Sequence, residues 1–396
     1  MRVLHVVPSL APESGGPARS VPALCEALGN AGLDCTLYYF RQAGSQTTLP
    51  GGESSFLSRP YSPLSCTRQV PTLKFAAEFR RDVESASLAH LYSFWNPVVS
   101  LAALICRSAD VPYIVSPRGM LQNGALERKS ILKTVAHRLW EARTIAGASA
   151  LHFLSEGEAS ESARIAGQVP SFVVPSGIDD YELTRGRDRS AFLRKYPSLR
   201  GRRYMAFVGR LHAVKRLDLQ LQAMRILRDR LPDLSWVLIG PDEGEWNSLE
   251  EGARTLGLLD RVIWAGFVAG PERLDALAGA SVFVLSSKHE AHSMAMNEAL
   301  ALGVPVVLTD TVKFAAVSEY GAGEVVPSSP EAIAKAVGDI LENGVRAGQM
   351  SVAARKLAAE RLSWPKVAQQ LIGHYEEVLA GRRLGSSAQD PRKGTS

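Results

Sequence analysis

The chain has 396 residues, of which 46% are hydrophobic and 21% are charged. This composition is ordinary for a soluble globular protein with sizeable cores, and the length corresponds to roughly two to three domains. The net charge of +5 and the pI of about 9.0 suit anionic ligands. Basic and acidic residues are mostly interleaved along the chain, which argues against nucleic acid as a partner.

The N-terminal stretch and the cysteines bear on the cellular compartment. The apolar run before Pro8 is too short for a signal peptide. The longest apolar runs, such as 98–105, fall far below the ~20 residues that span a bilayer. The 4 cysteines form no C-x-x-C pair and have no metal-ligand spacing with the 8 histidines. We expect reduced core thiols in a cytoplasmic protein, either free or at the inner face of the cytoplasmic membrane.

In the first half of the chain, short β-rich runs alternate with helical patterns, which predicts a parallel sheet built from βαβ units. A helix is predicted over 18–32, closed by Gly29 and Gly32. Residues 41–72, rich in Gly, Ser, Thr and Pro, are predicted to form a surface excursion rather than a core element. The strands predicted in this half are 2–7, 35–40, 88–93, 112–116, 150–155 and 171–177.

In the second half the alternation restarts after a polar, charged stretch over 180–201, which is predicted to connect two domains. The fold class is therefore α/β with two Rossmann-like halves, an N-terminal domain over 1–185 and a C-terminal domain over 200–363. An amphipathic helix over 364–381 follows, and the polar tail 382–396 is expected to be disordered. The strands predicted in this half are 204–209, 235–240, 261–267, 281–287, 304–310 and 323–327.

Gly15 and Gly16 follow the first predicted strand and stand just before a helix that begins near Pro17. Proline is favoured in a first helical turn, and bare amides at a helix N-terminus bind phosphate or carboxylate groups. The glycines indicate either such a site or a turn that needs glycine. The pattern G-x-G-x-x-G is missing, which argues against a nicotinamide oxidoreductase.

Two cations follow the first predicted strand of the second half. Gly209 ends that strand, Arg210 comes next, and Lys215 stands five residues after Arg210. If the next helix begins near Leu217, both cations lie near the carboxyl edge of the sheet. Arg can bind two phosphate oxygens at once and Lys adds a point charge. The alternative is a pair of solvated basic residues in a loop.

Two glutamates surround the start of another predicted helix. Glu290 follows the strand predicted over 281–287, Ser293 is a good N-cap residue, and Glu298 lies in the second helical turn. Free N–H groups of the loop and of the first turn point to the same place. Two carboxylates at this spacing could hold two rings of one ligand. The alternative is a helix-dipole acid together with a solvated Glu.

Taken in order, these motifs resemble the catalytic half of retaining family 4 glycosyltransferases, which are two-domain GT-B enzymes that use nucleotide sugars. The series is Gly209-Arg210, Lys215, "IGPDEGE", "GF", Glu290 with Glu298, and "GVPVV". "VPSGID" resembles the linker-proximal motif of the family, and "VSPRGML" with "HFLSEGE" resembles members that build bacterial surface polysaccharides. The resemblance covers nearly the whole chain. It implies two domains facing across a cleft, with the helix over 364–381 crossing back to the first.

The resemblance also implies roles for single residues. Arg210 and Lys215 would neutralise the donor diphosphate and stabilise the departing nucleotide. Glu290 would hold hydroxyls of the donor sugar, and Glu298 those of the ribose. The other donor-binding candidates are Gly15, Gly16, Gly209, Phe267, Val268, His292, Ser293 and Met294. The first two would let the N-terminal loop approach the diphosphate and the acceptor, and the Phe-Val pair would lie near the base.

The sequence departs from the family pattern at two places. Relatives often carry Gly-rich residues where Ala291, His292 and Ser293 stand, so the identity of the sugar does not carry over. Many relatives also carry a histidine after the fourth N-terminal strand, where this chain has Arg118. Arg118 binds either an acceptor phosphate or a sugar hydroxyl, or else it is structural. His90 is the second acceptor candidate.

The resemblance predicts a retaining glycosyltransferase that moves a sugar from a nucleotide-sugar donor to a glycan or lipid-linked acceptor in bacterial surface polysaccharide biosynthesis. The alternatives are a nucleotide-sugar epimerase or phosphorylase of the same fold, and a non-catalytic sugar-nucleotide-binding protein. No D-x-D occurs in the chain, so we expect neither a metal nor another cofactor. The basic amphipathic stretch over 127–143 either contacts an anionic membrane or packs on its own domain.

Overall fold

A computed structural model describes residues 1–11, 16–41, 49, 54–62, 70–122, 141–184, 186, 188–268 and 270–381. The chain divides into two compact units, Met1–Gly177 with Trp364–Ser396, and Ile178–Ser363. Several predicted features lie outside the described residues, namely Gly15, Cys66, the basic stretch up to residue 140, and the tail 382–396.

The described residues form strands and helices in the following chain order. The strands are β1 (Arg2–Val7), β2 (Asp34–Phe40), β3 (Leu57–Tyr61), β4 (Leu88–Tyr92), β5 (Tyr113–Ser116), β6 (Ala150–Phe153), β7 (Ser171–Val173), β8 (Arg203–Val208), β9 (Leu234–Ile239), β10 (Val262–Trp264), β11 (Val282–Leu285), β12 (Val306–Thr309) and β13 (Gly323–Val326). The helices are α1 (Gly16–Asn30), α2 (Leu73–Val83), α3 (Pro97–Ser108), α4 (Ala142–Ala146), α5 (Glu156–Ala166), α6 (Asp180–Thr184), α7 (Ser190–Lys195), α8 (Leu217–Leu227), α9 (Trp246–Thr255), α10 (Gly270–Ala278), α11 (Met294–Ala301), α12 (Ala316–Tyr320), α13 (Pro330–Glu342), α14 (Gly344–Leu357) and α15 (Trp364–Leu379).

The first unit is built on a parallel sheet with the strand order β3-β2-β1-β4-β5-β6-β7 in the described part of the chain. One face of the sheet packs against α1 and α15, with Val3, Leu24 and Leu371 in that core. The other face packs against α2 and α3, with Leu4 and Phe79 in that core. Alternate residues of β1 enter opposite cores because side chains along a strand alternate between its two faces. The parallel α/β sheet predicted for this half is confirmed.

Strand β3 was not predicted, because 41–72 was expected to form only a surface excursion. Residues 57–61 pair in parallel with β2 at the edge of the sheet, and Tyr39 stands opposite Pro60. Proline cannot donate to a strand ladder and is therefore tolerated mainly in edge strands. Leu57 is 49% exposed, as expected at an edge. The proline and the polar surroundings concealed a genuine strand.

A buried chain of hydrogen bonds links α15 to the first sheet. His152 Nε2 lies 2.8 Å from the Val174 carbonyl oxygen, so this nitrogen carries the proton. His152 Nδ1 therefore accepts from His90 Nε2 at 3.2 Å. His90 Nδ1 is then an acceptor, and the Tyr375 hydroxyl of α15 donates to it at 2.7 Å. The Val174 carbonyl thus fixes the tautomers of both rings, and the last helix is anchored in the centre of the sheet.

The second unit is built on a parallel sheet with the strand order β10-β9-β8-β11-β12-β13 in the described part of the chain. Every strand predicted in this half is present, because the β-rich runs are buried in one apolar core. The order of the strands reverses between β8 and β11, which are neighbours in the sheet. The carboxyl ends of these two strands therefore form the topological switch point, where open α/β sheets bind ligands.

The predicted boundary between the halves needs a correction. The stretch 180–201 was predicted to be an interdomain connection, and the first domain was predicted to extend to residue 185. Instead the first unit ends at Gly177. Phe192 and Leu199 are fully buried in the core of the second unit. The charged residues of this stretch conceal short helices whose apolar side chains pack on the second sheet.

Candidate functional site

Two loops meet at the switch point of the second sheet. One follows β8 and contains a short 3₁₀ turn, Ala213–Lys215, which His212 caps by accepting from Val214 N at 3.1 Å. The other follows β11. The two are joined by a backbone hydrogen bond of 2.8 Å in which Lys288 donates to the Val214 carbonyl. The loop after β8 therefore has a defined shape that brings Lys215 towards the loop after β11.

The predicted residues Lys215 and Glu290 are in direct contact. Lys215 Nζ lies 2.6 Å from Glu290 Oε2, and the Lys and Glu side chains are only 16% and 13% exposed. The Ser287 hydroxyl donates to the same carboxylate oxygen at 3.1 Å. Both charges are held near the surface but largely out of water, where an ion pair is stronger than on an open surface.

A buried polar network supports this contact from below. The Ser286 hydroxyl lies 2.9 Å from the Lys215 carbonyl oxygen and 3.0 Å from the Arg216 carbonyl oxygen. Its one proton is shared between these two acceptors. Gln220 Nε2 donates to Ser286 Oγ at 2.9 Å, and Gln220 Oε1 accepts from Trp236 Nε1 at 3.1 Å. The network fixes the backbone of Lys215, which reduces the reorganisation needed when an anion binds.

Arg210 lies at the same edge of the sheet but pairs elsewhere. Its Nη1 lies 2.6 Å from Glu243 Oε2, and the side chains are 59% and 36% exposed. Asp242 Oδ1 accepts from the backbone N–H groups of Gly244, Glu245 and Trp246. The N–H of Trp246, followed by the other two, lowers the pKa of Asp242. The "PDEGE" loop is thus a capped turn, and the described residues contain no group of three or more His, Cys, Asp or Glu arranged to hold a metal ion.

Two glycines let β8 and β9 approach closely at this edge. Gly240 has φ +143°, and a Cβ on it would lie 1.9 Å from the Gly209 carbonyl oxygen. The backbone pairing continues past both glycines, since Leu211 N donates to the Pro241 carbonyl at 2.8 Å. Gly209 thus lies at the edge as predicted, and its geometry depends on the glycine opposite.

The start of α11 has the predicted cap. Ser293 Oγ accepts from Met296 N at 3.2 Å, which confirms the N-cap. Glu298 lies in the second turn with a side chain only 1% exposed, and its Oε1 accepts from Arg273 Nη2 at 2.7 Å. Met294 is the first residue of the helix. The structure thus buries Glu298 in an ion pair with an arginine that no sequence pattern marked.

The remaining donor-site candidates stand after β10 and in the loop before α11. Phe267 follows β10 and is 74% exposed, whereas the neighbouring Val268 is only 4% exposed. The His292 ring makes an edge contact with Phe314, with 5.7 Å between the centroids. Only the first of these side chains offers a large free apolar surface to a planar ligand.

The candidates in the first unit have different environments. Gly16 is the first residue of α1 and is exposed. Arg118 follows β5; its Nη1 donates to Ser176 Oγ at 3.2 Å, and its guanidinium lies 5.1 Å from the Tyr92 ring centroid. Burial lowers the pKa of Arg118.

His90 is the candidate that the structure contradicts. Its ring is fully buried and bonded to Tyr375 and His152. An acceptor cannot reach a ring that lies in the core between the sheet and α15. His90 is therefore a structural residue, and Arg118 remains as the acceptor candidate.

Sequence reasoning missed four polar residues around the predicted ones. Ser287 donates to Glu290 and Arg273 to Glu298. Ser286 donates to the Lys215 carbonyl and accepts from Gln220. Ser287 stands at the predicted strand end, so its position was a usable signal. Arg273 lies in a helix of ordinary composition, 25 residues before its partner. Nothing in its spacing indicates the contact.

Two family models match the chain, and they correspond to the two units. The "Glycosyl transferase 4-like domain" matches residues 15–177, and "Glycosyl transferases group 1" matches residues 188–357. The second match contains Arg210, Lys215, Glu290, Glu298 and Arg273. In the described residues, no helix has both the length and the apolar character needed to cross a membrane.

Individual proteins are similar to the chain over parts or all of its length. It is 28% identical to mannosylfructose-phosphate synthase of Agrobacterium fabrum over 52% of the chain and 47% of that protein. It is 30% identical to D-inositol 3-phosphate glycosyltransferase of Corynebacterium urealyticum over 60% of the chain and 57% of that protein. The chain thus spans about half the length of these relatives. The crystal structure of Anabaena HepE with UDP and glucose superposes with a TM-score of 0.73 at 18% identity, covering 95% of this chain and 100% of that one. This structural similarity concerns the fold, which is of the GT-B type with two Rossmann-like domains.

Proposed function

Since the chain belongs to the glycosyl transferases of group 1 and carries a glycosyl transferase 4-like domain before that domain, we propose that it transfers a sugar from a nucleotide-sugar donor to a glycan or lipid-linked acceptor. The observation that carries this proposal is the Lys215–Glu290 contact at the switch point, 2.6 Å long and shielded from solvent. A cation and a carboxylate held together there match the two parts of such a donor, because one binds phosphate and the other accepts from sugar hydroxyls.

In this proposal the diphosphate of the donor binds between Arg210 and Lys215. Arg210 is well exposed, and its present partner, Glu243, is an exposed carboxylate that phosphate oxygens can replace. Lys215 keeps Glu290 as a neighbour while its remaining N–H groups face the phosphate. The UDP and glucose bound to HepE support a nucleoside diphosphate as part of the donor.

The chemistry follows from the charges. Glycosyl transfer passes through an oxocarbenium-like state while negative charge grows on the leaving phosphate. Arg210 and Lys215 stabilise that growing charge more than they stabilise the bound donor, and this difference lowers the barrier. Glu290 holds the sugar hydroxyls while the C1–O bond to phosphate breaks. The acceptor oxygen bonds to C1 on the face that the phosphate leaves, and the departing phosphate oxygen accepts the proton of that hydroxyl, so the anomeric configuration is retained.

The acceptor is assigned to the first unit, where Arg118 and Ser176 lie beyond β5 and β7. An arginine there suits a phosphate or a sugar hydroxyl. The motifs shared with enzymes of bacterial surface polysaccharides make a lipid-linked or polysaccharide acceptor our choice, with the protein at the inner face of the cytoplasmic membrane. Phe267 is proposed to stack on the base of the donor, because it follows a strand of the same sheet and its ring is 74% exposed.

A thermal-shift screen against UDP-, GDP-, ADP- and dTDP-sugars tests donor binding, and release of the nucleoside diphosphate tests chemistry. Lys215→Ala is expected to lower the rate of nucleotide release by about 10²–10³-fold, the usual effect of removing one stabilising donor from a charged transition state. Lys195→Ala is the matched control, because it removes a 2.7 Å Lys–Glu pair with Glu272 from the same unit, and its rate should stay within about twofold of wild type.

The screen also separates the alternatives. An epimerase would convert the donor sugar without releasing nucleotide, and a phosphorylase would need inorganic phosphate. A non-catalytic binder would show the thermal shift but no turnover. No shift with any of the four sugar nucleotides would refute the proposed function.

A further inference from the structure

The ion pair between α10 and α11 lies deeper than the other charged contacts of the proposed site. Arg273 Nη2 lies 2.7 Å from Glu298 Oε1, with the Arg side chain 19% and the Glu side chain 1% exposed. The neighbouring Glu272 pairs outwards instead, with Lys195, at 54% and 41% exposure for the Lys and the Glu. Helix α10 thus supplies one surface ion pair and one that reaches into the protein.

A carboxylate that is almost fully removed from water is strongly disfavoured unless a charged or hydrogen-bonding partner compensates it. Arg273 supplies that partner in a charge-assisted hydrogen bond. A carboxylate has about four lone-pair sites on its two oxygens, so this bond does not exhaust its capacity to accept. Hydroxyl donors of a ligand can therefore add to Glu298 without displacing Arg273.

We propose that Arg273 is a positioning residue, which holds Glu298 in place as the acceptor for the ribose hydroxyls of the donor nucleotide. This inference rests on the proposed function, in which Glu298 binds the ribose. Arg273 acts through Glu298 and touches neither the sugar nor the phosphate. It thereby sets how strongly the site prefers a ribonucleotide over its 2′-deoxy counterpart.

A purely structural role makes a different prediction. If the ion pair only joined α10 to α11, removing the Arg273 charge would lower thermal stability. It would also weaken the binding of ribonucleotides and deoxyribonucleotides by the same factor. If Arg273 positions Glu298, the preference for the ribonucleotide falls, while the affinity for the deoxyribonucleotide changes little. The ratio of the two dissociation constants therefore separates the two roles.

The test is isothermal titration of the full-length chain with UDP and 2′-deoxy-UDP, and with GDP and 2′-deoxy-GDP. The wild type is expected to bind the better ribonucleotide about tenfold more tightly than its 2′-deoxy form, because the deoxy form lacks the hydroxyl that donates to the charged Glu298 carboxylate. Arg273→Met should reduce that ratio to about threefold or less. Arg273→Lys, which keeps the charge but not the planar fork, should give an intermediate ratio.

Two further variants complete the design. Glu298→Gln should lower the ratio as Arg273→Met does, and the double variant should lower it no further, because both changes act on one contact. Glu272→Gln is the matched control on α10 and should keep the wild-type ratio. In turnover assays Arg273→Met should raise the KM for the donor and leave kcat nearly unchanged.

The outcomes are distinguishable. A wild-type ratio kept in Arg273→Met, or in Arg273→Lys and Glu298→Gln if the Met variant fails to fold, would overturn the proposal while leaving the proposed function intact. A wild type that binds a nucleotide without any preference for ribose would also overturn it. A wild type that binds none of these nucleotides and shows no thermal shift with the UDP-, GDP-, ADP- and dTDP-sugars would refute the proposed function and this inference together.

Discussion

Gly240 shows how much one missing side chain matters at the site. Its φ of +143° lies in a region that residues with a side chain rarely adopt, and a Cβ would lie 1.9 Å from the Gly209 carbonyl oxygen. The obstacle is backbone, which cannot rotate away as a flexible side chain can. Relief must separate the backbones of Gly240 and Gly209, and Arg210 directly follows Gly209.

Gly240→Ala is therefore expected to lower the free energy of unfolding by about 2–4 kcal/mol. It should also weaken binding of the nucleoside diphosphate, because the Arg210 loop shifts. Urea denaturation and titration with UDP and GDP measure the two effects. Gly348→Ala is the control: it lies inside α14 with no atom within 4 Å of its Cβ. That change should raise stability by about 0.5–1 kcal/mol, and equal effects of the two substitutions would contradict the argument.

At the scale of residues, the motifs located the candidate positions at strand ends and at a helix start, but not how their side chains pair. Strand ends and a helix cap are local, so Gly209, Ser293 and the loop of Glu290 could be located from spacing. Ion pairs join residues far apart in sequence, such as Lys215 with Glu290, whose positions differ by 75. The Arg273 contact and the burial of His90 depend on how helices pack, which the spacing of residues in the sequence does not predict.

Helix α15 illustrates the scale of whole elements. It completes one core of the first unit with Trp364, Leu371 and Tyr375, although the second unit separates it in sequence from the rest of that core. Within this mostly apolar core the Tyr375 hydroxyl reaches His90 Nδ1, which the Tyr92 hydroxyl also contacts. This contact favours one rotation of the helix on the sheet, because it places the Tyr375 hydroxyl against the buried His90 ring.

Tyr375→Phe should lower the free energy of unfolding by about 0.5–1.5 kcal/mol, since it removes the shorter of the two hydroxyl contacts of His90 Nδ1, at 2.7 Å, and leaves only the Tyr92 hydroxyl at 3.2 Å. Tyr61→Phe is the matched control, because the Tyr61 hydroxyl is buried without a hydrogen-bond partner in the described part of the chain. Removing it should be neutral or stabilising. Guanidinium denaturation of both variants checks this, and a loss of stability in Tyr61→Phe equal to that in Tyr375→Phe would contradict it.

The strands were the most predictable elements. Buried parallel strands read as continuous β-rich runs, as in β8, β9 and β11, and each such run proved to be a strand. Edge strand β3 and the short helices α6 and α7 were missed. In these elements only one side is buried, and charged residues or proline interrupt the apolar pattern. Their composition is therefore the same as that of a loop.

For the whole molecule, three buried histidines make stability depend on pH. Burial lowers the pKa of His5 and of His152 to about 3, and that of His90 well below 6.5. In the unfolded chain all three take up protons near pH 6.5. The unfolded state therefore binds more protons below that pH. Their contribution is present above pH 6.5 and is lost as the pH falls towards 3.

Glu141 acts in the opposite direction. Burial raises its pKa to about 7, although the Ser100 hydroxyl that donates to it partly opposes the rise. Between pH 4.5 and 7 the folded state holds a proton that the unfolded state has released. The contribution of Glu141 is therefore present below pH 4.5 and is lost as the pH rises through 7.

Replacing Glu141 by Gln should accordingly stabilise the protein only at higher pH. The difference in unfolding free energy between the variant and the wild type is expected to grow by about 2–3 kcal/mol from pH 4.5 to pH 8, at up to about 1.4 kcal/mol per pH unit. Urea unfolding at half-unit steps of pH measures it. If the unfolding free energies of the wild type and of Glu141→Gln change in parallel with pH, the Glu141 carboxyl does not titrate in this way.

The second unit begins and ends at one place, where Ile178 N donates to the Leu362 carbonyl at 2.7 Å. The first unit is thus interrupted at Gly177 and resumes at Trp364. During synthesis the ribosome releases most of the first sheet, then the whole second unit, and only then the helix that covers that sheet. The second unit can finish folding while the first still waits for α15. The half that is begun first is therefore completed last.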